Sequence, residues 1–206
     1  MTGGELVAFA RSKLGTPYVY GMKGTVMTRA NFHYLQGRYG TKLVWNSDEK
    51  KIGRLCVDCS GLISWASGVV LGSAQLFERA IKKEPIHTIK TAPVGALVWR
   101  KGHVGIYTGF KKGVPYYIAA DGSAYGVREV PLSKNNFTHW LLMDYFIYEE
   151  EENEVISKEK VIVNGEEITM ELIYKDGINY IKIRDLADAL GYKVSSKGRI
   201  PVLEKK

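Results

Sequence analysis

Cys56 and Cys59 are the only cysteines of the 206-residue chain, and they stand in a C-x-x-C pattern. That spacing invites zinc binding or thiol–disulfide exchange. Zinc needs three or four protein ligands, and there is no second cysteine pair to complete a set. Thioredoxin-type chemistry needs a strand before the pair and a helix after it in a βαβ unit, and the residues before Cys56 are polar and irregular. What remains is one nucleophilic thiol. Cys59 sits at the start of the apolar run Ser60–Val70, where the free N–H groups of a helix's first turn and its dipole favour a thiolate. The same N–H groups are suited to hold the oxyanion of an acyl transfer. Such a thiol needs a base, and His103 in Gly102-His103-Val104-Gly105-Ile106-Tyr107 is the best placed of the four histidines. Taken singly, Cys59 reads as a small core residue and His103 as an edge-strand histidine; in their combined setting the chemical reading is the stronger.

These two side chains need a helix and a sheet to hold them. Gly4–Leu14 has helical spacing of its apolar residues and stops at Gly15-Thr16-Pro17, because proline disfavours helical geometry in the residue before it. Residues 22–55 are polar and weakly periodic, with a helix expected around Arg29–Arg38. Tyr34, Tyr39 and Trp45 in this stretch are placed to wall a cleft. Ser60–Val70 reads as a strong helix with a wide apolar face, and Gln75–Ile81 as a second. From Gly95 the period changes to two. Strands are expected at 96–99, 103–108 and 114–119, with a closing strand near Trp140–Tyr148. Helices followed by antiparallel strands indicate the α+β class.

The chain is 45% hydrophobic and 25% charged, which excludes a disordered or low-complexity protein. Its longest apolar runs are far short of the ~20 residues that a membrane span needs. The N-terminus shows no basic segment followed by an apolar stretch of the secretory type. Residues 1–148 hold 19 basic and 9 acidic side chains, whereas residues 149–206 carry a net charge of −3. The change falls at the acidic run Glu149–Glu152, which has the composition of a linker. The expected organisation is therefore a catalytic domain at 1–148, a linker at 149–159 and a small α+β module at 160–206. In that module, hairpin turns are expected at Asn164-Gly165 and Asp176-Gly177, and a short helix at Arg184–Leu190 ending at Gly191. Val194 and Ile200–Leu203 are expected to continue its sheet. A basic catalytic half calls for a polyanionic partner. Its scattered Lys and Arg, with no recognition motif, argue against nucleic acid.

Gly15-Thr16-Pro17-Tyr18-Val19-Tyr20-Gly21, Asp58-Cys59-Ser60-Gly61-Leu62 and Gly102-His103-Val104-Gly105-Ile106-Tyr107 together resemble, in order and spacing, the NlpC-type family of papain-like cell-wall peptidases. The resemblance covers about residues 4–147. It implies a papain-like α+β fold that cleaves amide bonds in the peptide stems of peptidoglycan, with no cofactor and no metal. By position, Cys59 is similar to the nucleophile, His103 to the base and Tyr18 to the tyrosine beside the nucleophile, with Ser60 next to the oxyanion site. The family's third polar residue falls at Ala119 in this register. Asp121, two residues on and on the same face of an alternating strand, is the expected replacement; His139, a backbone carbonyl or a bare Cys–His pair are the alternatives. Asp58 is expected to cap the helix that follows it.

Residues 160–206 resemble the stalk-like domain named after the N-terminus of copper amine oxidases. All histidines and cysteines precede residue 140, so the module has no imidazole or thiolate to offer copper. Its expected part is wall attachment, or self-association through a sheet edge. The expected function is thus a peptidoglycan hydrolase working at the cell wall, an endopeptidase in preference to an amidase. An endolysin released from the cytoplasm and an autolysin exported by another route both fit. A papain-like acyltransferase or thioesterase, and a non-catalytic wall-binding protein, are the alternatives.

Overall fold

In the computed structural model, residues 1–148, 156–175, 178–198 and 200–206 are described. The chain divides into two compact units, Met1–Glu150 and Glu151–Lys206.

The first unit is α+β. Helix α1 (Gly3–Ser12) starts in a capping box: the Glu5 N–H donates to the Thr2 hydroxyl at 3.1 Å and the Thr2 N–H to the Glu5 carboxylate at 2.8 Å. Strands β1 (Lys23–Val26) and β2 (Leu55–Val57) pair antiparallel and enclose α2 (Arg29–Tyr39) and a 3₁₀ turn at Asn46–Lys51. Residues 22–55 hold the expected helix and, with Val19 and Cys56, build a small core of their own from Met22, Met27, Phe32, Leu35 and Val44. Helices α3 (Cys59–Ser67) and α4 (Ser73–Arg79) follow. The helix expected to reach Val70 stops earlier because Gly68 turns left-handed, with φ of 75°.

Six antiparallel strands form the sheet: β3 (Lys82–Pro85), β4 (Leu97–Arg100), β5 (His103–Lys111), β6 (Val114–Ala120), β7 (Val127–Pro131) and β8 (His139–Leu142), in the order β3-β8-β4-β5-β6-β7. β3 and β7 were not expected, and the closing strand ends at Leu142 rather than running to Tyr148. Val104, Ile106, Ile118 and Ala120 pack in one cluster with α1 and α3, while Tyr107, Tyr117 and Ala119 face a second cluster with Leu132, Phe137 and Trp140. β5 and β6 are thus buried on both faces over most of their length, while Phe110 and Val114 at the hairpin end are exposed.

Glu129 on β7 ties this sheet to α1. Its carboxylate accepts from Arg11 Nη2 at 2.9 Å and pairs with Lys111 Nζ at 2.7 Å. Burial opposes its charge, but the bonds from Arg11 and Lys111 hold its pKa at about 2, below the ordinary 4.5. A carboxyl depressed in the folded state stabilises the fold above its unfolded pKa and loses that contribution as pH falls through the folded one. Thermal unfolding should therefore show a melting temperature that drops between pH 4.5 and about 2, and Glu129→Gln should flatten part of the slope. Identical slopes for the two proteins would contradict the assignment.

The second unit has a three-stranded antiparallel sheet of β9 (Ile156–Val163), β10 (Glu166–Lys175) and β11 (Ile178–Ile181), in the order β11-β10-β9. Asn164 and Gly165 turn β9 into β10 with positive φ at both positions, as a two-residue hairpin requires. Helix α5 (Ile183–Ala189) follows, then β12 (Tyr192–Lys197) and β13 (Ile200–Lys205). Among the described residues these last two strands pair with each other and do not continue the first sheet. The strand β9 already includes Ile156–Glu159, four residues that were expected in the linker. The rest of the expected linker, and the turn at Asp176-Gly177, lie outside the described residues. No helix among the described residues is long and apolar enough to cross a membrane.

Candidate active site

Asp58 organises the start of α3. As N-cap it accepts the Gly61 N–H at 2.5 Å, and it also accepts the Gly21 N–H at 2.9 Å and Lys23 Nζ at 2.9 and 3.0 Å. A Cβ on Gly61 would lie 2.3 Å from the Met22 carbonyl oxygen, so only glycine lets β1 approach the helix this closely. Cys59 is thereby fixed as the first residue of α3, and the N–H groups of Cys59 and Ser60 lie outside the capping bonds. The Ser60 hydroxyl donates to Asp58 at 3.1 Å and accepts from Lys23 at 2.9 Å. What Ser60 presents to the thiol is its backbone N–H.

The Cys59 thiol is buried, and that burial pushes its pKa up to about 12; the Asp58 charge adds to the effect. The Val104 and Ser60 N–H groups and the Lys23 ammonium act in the opposite direction. Among the groups that favour the thiolate is the backbone N–H of Val104, the residue next to His103. The proton rests on sulfur near neutral pH, so the helix dipole alone does not produce the thiolate that the sequence led us to expect.

The Gly15–Gly21 segment runs beside β2. Val57 donates to the Pro17 carbonyl at 3.0 Å, and Val19 donates to the Val57 carbonyl at 3.2 Å. This brings Tyr18 next to the thiol. Its hydroxyl pKa is raised, by burial first and then by the charges of Cys59 and Asp58, so it stays protonated and able to donate. Tyr20 feels Asp58 and Cys59 too, and its ring meets that of Tyr39 edge-on at 5.0 Å. The α2 region therefore borders the site through Tyr39. Tyr34 and Trp45 are exposed.

His103 opens β5. The pairing of Ile106 with Ile118, continued three residues, sets His103 opposite Asp121 at the end of β6. His103 Nε2 and Asp121 Oδ1 are 3.0 Å apart. A carboxylate only accepts, so Nε2 carries the hydrogen of this bond and Nδ1 is left to take a proton. Asp121 also accepts from Tyr117 Oη at 2.8 Å and from Arg128 Nε at 2.6 Å. Burial disfavours its charge, but the bonds from His103, Arg128 and Tyr117 outweigh this and hold the carboxyl below the ordinary carboxylate range. Phe137 stacks on the His103 ring with planes 13° apart. The ring is thus fixed by a carboxylate at one nitrogen and by an aromatic face.

The remaining candidates lie elsewhere. Ala119, at the family's third position, is packed in the second core cluster. His139 bonds Thr138 Oγ1 at 2.9 Å and its ring faces Phe77 and Trp99. His33 and His87 are exposed. Cys56 belongs to the β1–α2 core and Cys59 to the α1–α3 core, so the C-x-x-C pair is divided between two clusters. Among the described residues no group of three His, Cys, Asp or Glu could hold a metal ion.

Sequence reasoning missed Tyr117, Phe137, Arg128 and Lys23. Tyr117 was within reach, because it shares the strand face of Asp121 at a spacing of four. Arg128 reaches Asp121 diagonally from β7, a strand the sequence did not reveal.

An α+β unit with a cysteine at a helix start and a buried His–Asp pair on the adjoining sheet is the class that fold and site define. No protein-family model matches the chain, and no curated protein matches it. Among solved structures it is similar to the P60 domain of the M. avium subspecies paratuberculosis antigen MAP1204, at 24% identity over 68% of this chain and 93% of that one, with a TM-score of 0.45. It is also similar to the NlpC/p60 domain of the peptidoglycan hydrolase SagA, at 22% identity over 69% of this chain and 100% of that one, with a TM-score of 0.44.

Proposed function

We propose that the first unit is an NlpC-type cysteine hydrolase that cleaves amide bonds in the peptide stems of peptidoglycan, with an endopeptidase favoured over an amidase. One observation carries the reading: the His103 imidazole is oriented by Asp121 at 3.0 Å, one residue along β5 from the Val104 N–H that favours the Cys59 thiolate. The three sequence motifs supply the substrate class, and the net basic charge of residues 1–148 suits an anionic wall.

In this mechanism Nδ1 of His103 takes the Cys59 proton as sulfur attacks the amide carbon. The carbonyl electron pair moves to oxygen, where first-turn N–H groups of α3 and the Tyr18 hydroxyl are the available donors. Collapse of the adduct breaks the C–N bond. The leaving amine takes the proton from His103, and a thioester on Cys59 remains. Water, deprotonated by the same ring, then releases the carboxylic acid and restores the thiol. Asp121 keeps the ring in the tautomer that both halves require. For the second unit we propose attachment, to the wall or to a second copy, through the edges of its small sheets.

Lysis of purified cell walls in a zymogram tests the proposal, with mass spectrometry of the released fragments naming the bond. Clearing with new amine and carboxyl ends in the stem supports it. Intact walls after incubation with folded enzyme would overturn it.

A further inference from the structure

Lys51 and Asp48 form an ion pair that no motif of the sequence explains. Both come from the 3₁₀ turn after α2, and the Asp48 side chain is fully buried while that of Lys51 is 14% exposed. A buried pair of this kind adds little net stability, because desolvation of both charges offsets their attraction. A local apolar contact would close the same turn. The pair instead makes directional bonds to two distant segments.

Lys51 Nζ donates to Asp48 Oδ1 at 2.6 Å, to the Tyr18 carbonyl at 2.7 Å and to the Ser123 carbonyl at 3.0 Å. All three ammonium hydrogens therefore have an acceptor. Asp48 Oδ2 accepts the Trp45 N–H at 2.9 Å and the Ser123 hydroxyl at 3.1 Å. Ser123 is held at both its carbonyl and its hydroxyl, two residues beyond Asp121. The loop it belongs to is closed at its base by the Asp121 N–H bond to the Gly126 carbonyl, 2.9 Å. Tyr18, on the other side, is carried by the segment that lies along β2 just before Cys59. One ammonium thus joins the segment beside the nucleophile to the loop that bears the ring's carboxylate.

We propose that Lys51, with Asp48, is a positioning residue: it sets the loop 121–126 relative to the Tyr18 segment, and through Asp121 it fixes the His103 ring against the Cys59 thiol. Lys51 touches neither ring nor thiol. The charged and titratable groups around those two are Asp58, Lys23, Tyr18 and Tyr20 on the helix side, and Asp121, Arg128 and Tyr117 on the sheet side, all of which the Lys51 variants leave in place.

The proposal rests on the Cys59–His103–Asp121 unit but not on its substrate, so the test uses a small thiol reagent. In the full-length Cys56→Ser protein, the rate of Cys59 alkylation by iodoacetamide is followed by intact mass across pH. Lys51→Met should slow alkylation near neutral pH about tenfold, the scale of a small misplacement of reacting groups. It should also move the acidic limb of the profile in the same direction as Asp121→Ala does. Added to Asp121→Ala, it should change the rate by less than about twofold, because residues acting through one another do not add. Asp48→Asn/Lys51→Met removes both charges and reads the same effect if the single variant leaves Asp48 unpaired and unfolds.

A folded variant with the wild-type profile, or effects that multiply fully with Asp121→Ala, would overturn the proposal. Failure of both variants to fold would assign the pair to stability and overturn it as well. Alkylation that is indifferent to His103→Ala would instead reject the Cys–His unit on which the proposal rests.

Discussion

Cys59→Ala is expected to abolish wall lysis, with a loss of about 10⁴-fold or more, while leaving the thermal unfolding of the protein nearly unchanged. The sulfur forms the bond that the reaction needs, and no other group in the site replaces it. The fold depends on it little, since Asp58 caps α3 with its own carboxylate and the rest of the cluster is built of aliphatic and aromatic side chains. Cys56→Ser should retain most activity: its thiol sits in the separate β1–α2 core, where burial raises its pKa, and it has no part in the Cys59–His103–Asp121 unit. Zymograms of the two variants beside wild type check this. Equal loss in both would sink the single-nucleophile account and restore a joint role for the C-x-x-C pair.

His103→Ala should lower activity nearly as far as Cys59→Ala, because a nucleophile and its base fail together. Asp121→Ala should cost less, between ~10-fold and ~100-fold, since it removes orientation and charge but leaves the base. The pH profile gives a sign. With burial holding the thiol near 12, the proton shared by the pair rests on sulfur. The two limbs of the profile are apparent values of the pair. Removing the carboxylate 3.0 Å from the ring disfavours the charged imidazole, so the acidic limb of the Asp121→Ala enzyme should move to lower pH. A shift of the alkaline limb instead would mean that the pair rests as thiolate and imidazolium. Two unmoved limbs at wild-type rate would remove Asp121 from the unit.

Much of the site was legible because its signals are local. A glycine-rich turn, a capped helix start and a strand opening on histidine are each written in consecutive residues. Asp121 was accessible by strand alternation from Tyr117 and Ala119, and the register between β5 and β6 carries it to His103. Arg128 and Phe137 were not accessible, because they reach the site from β7 and from the loop before β8. β7 is short, mixed in polarity and ended by Pro131, so it leaves no clear period. β3, Lys-Lys-Glu-Pro, is an edge strand with a polar face and is silent for the same reason. The core under residues 22–55 escaped notice because Val19, Phe32, Val44 and Cys56 come from separate elements and form no repeat. The Lys51–Asp48 pair looks like an ordinary i,i+3 surface pair in sequence; only its bonds to Tyr18 and Ser123, from distant segments, show otherwise.

The central claim is that Cys59 carries the acyl group of a cleaved stem peptide. The most direct measurement is the intact mass of the protein, quenched in acid during turnover of purified muropeptides, followed by peptide mapping. The account predicts an added mass equal to the acyl part of the cleaved stem, located on Cys59, sensitive to hydroxylamine and missing in Cys59→Ala. Release of the same fragments by the Cys59→Ala protein, or an acyl group mapped to any other residue, would contradict it.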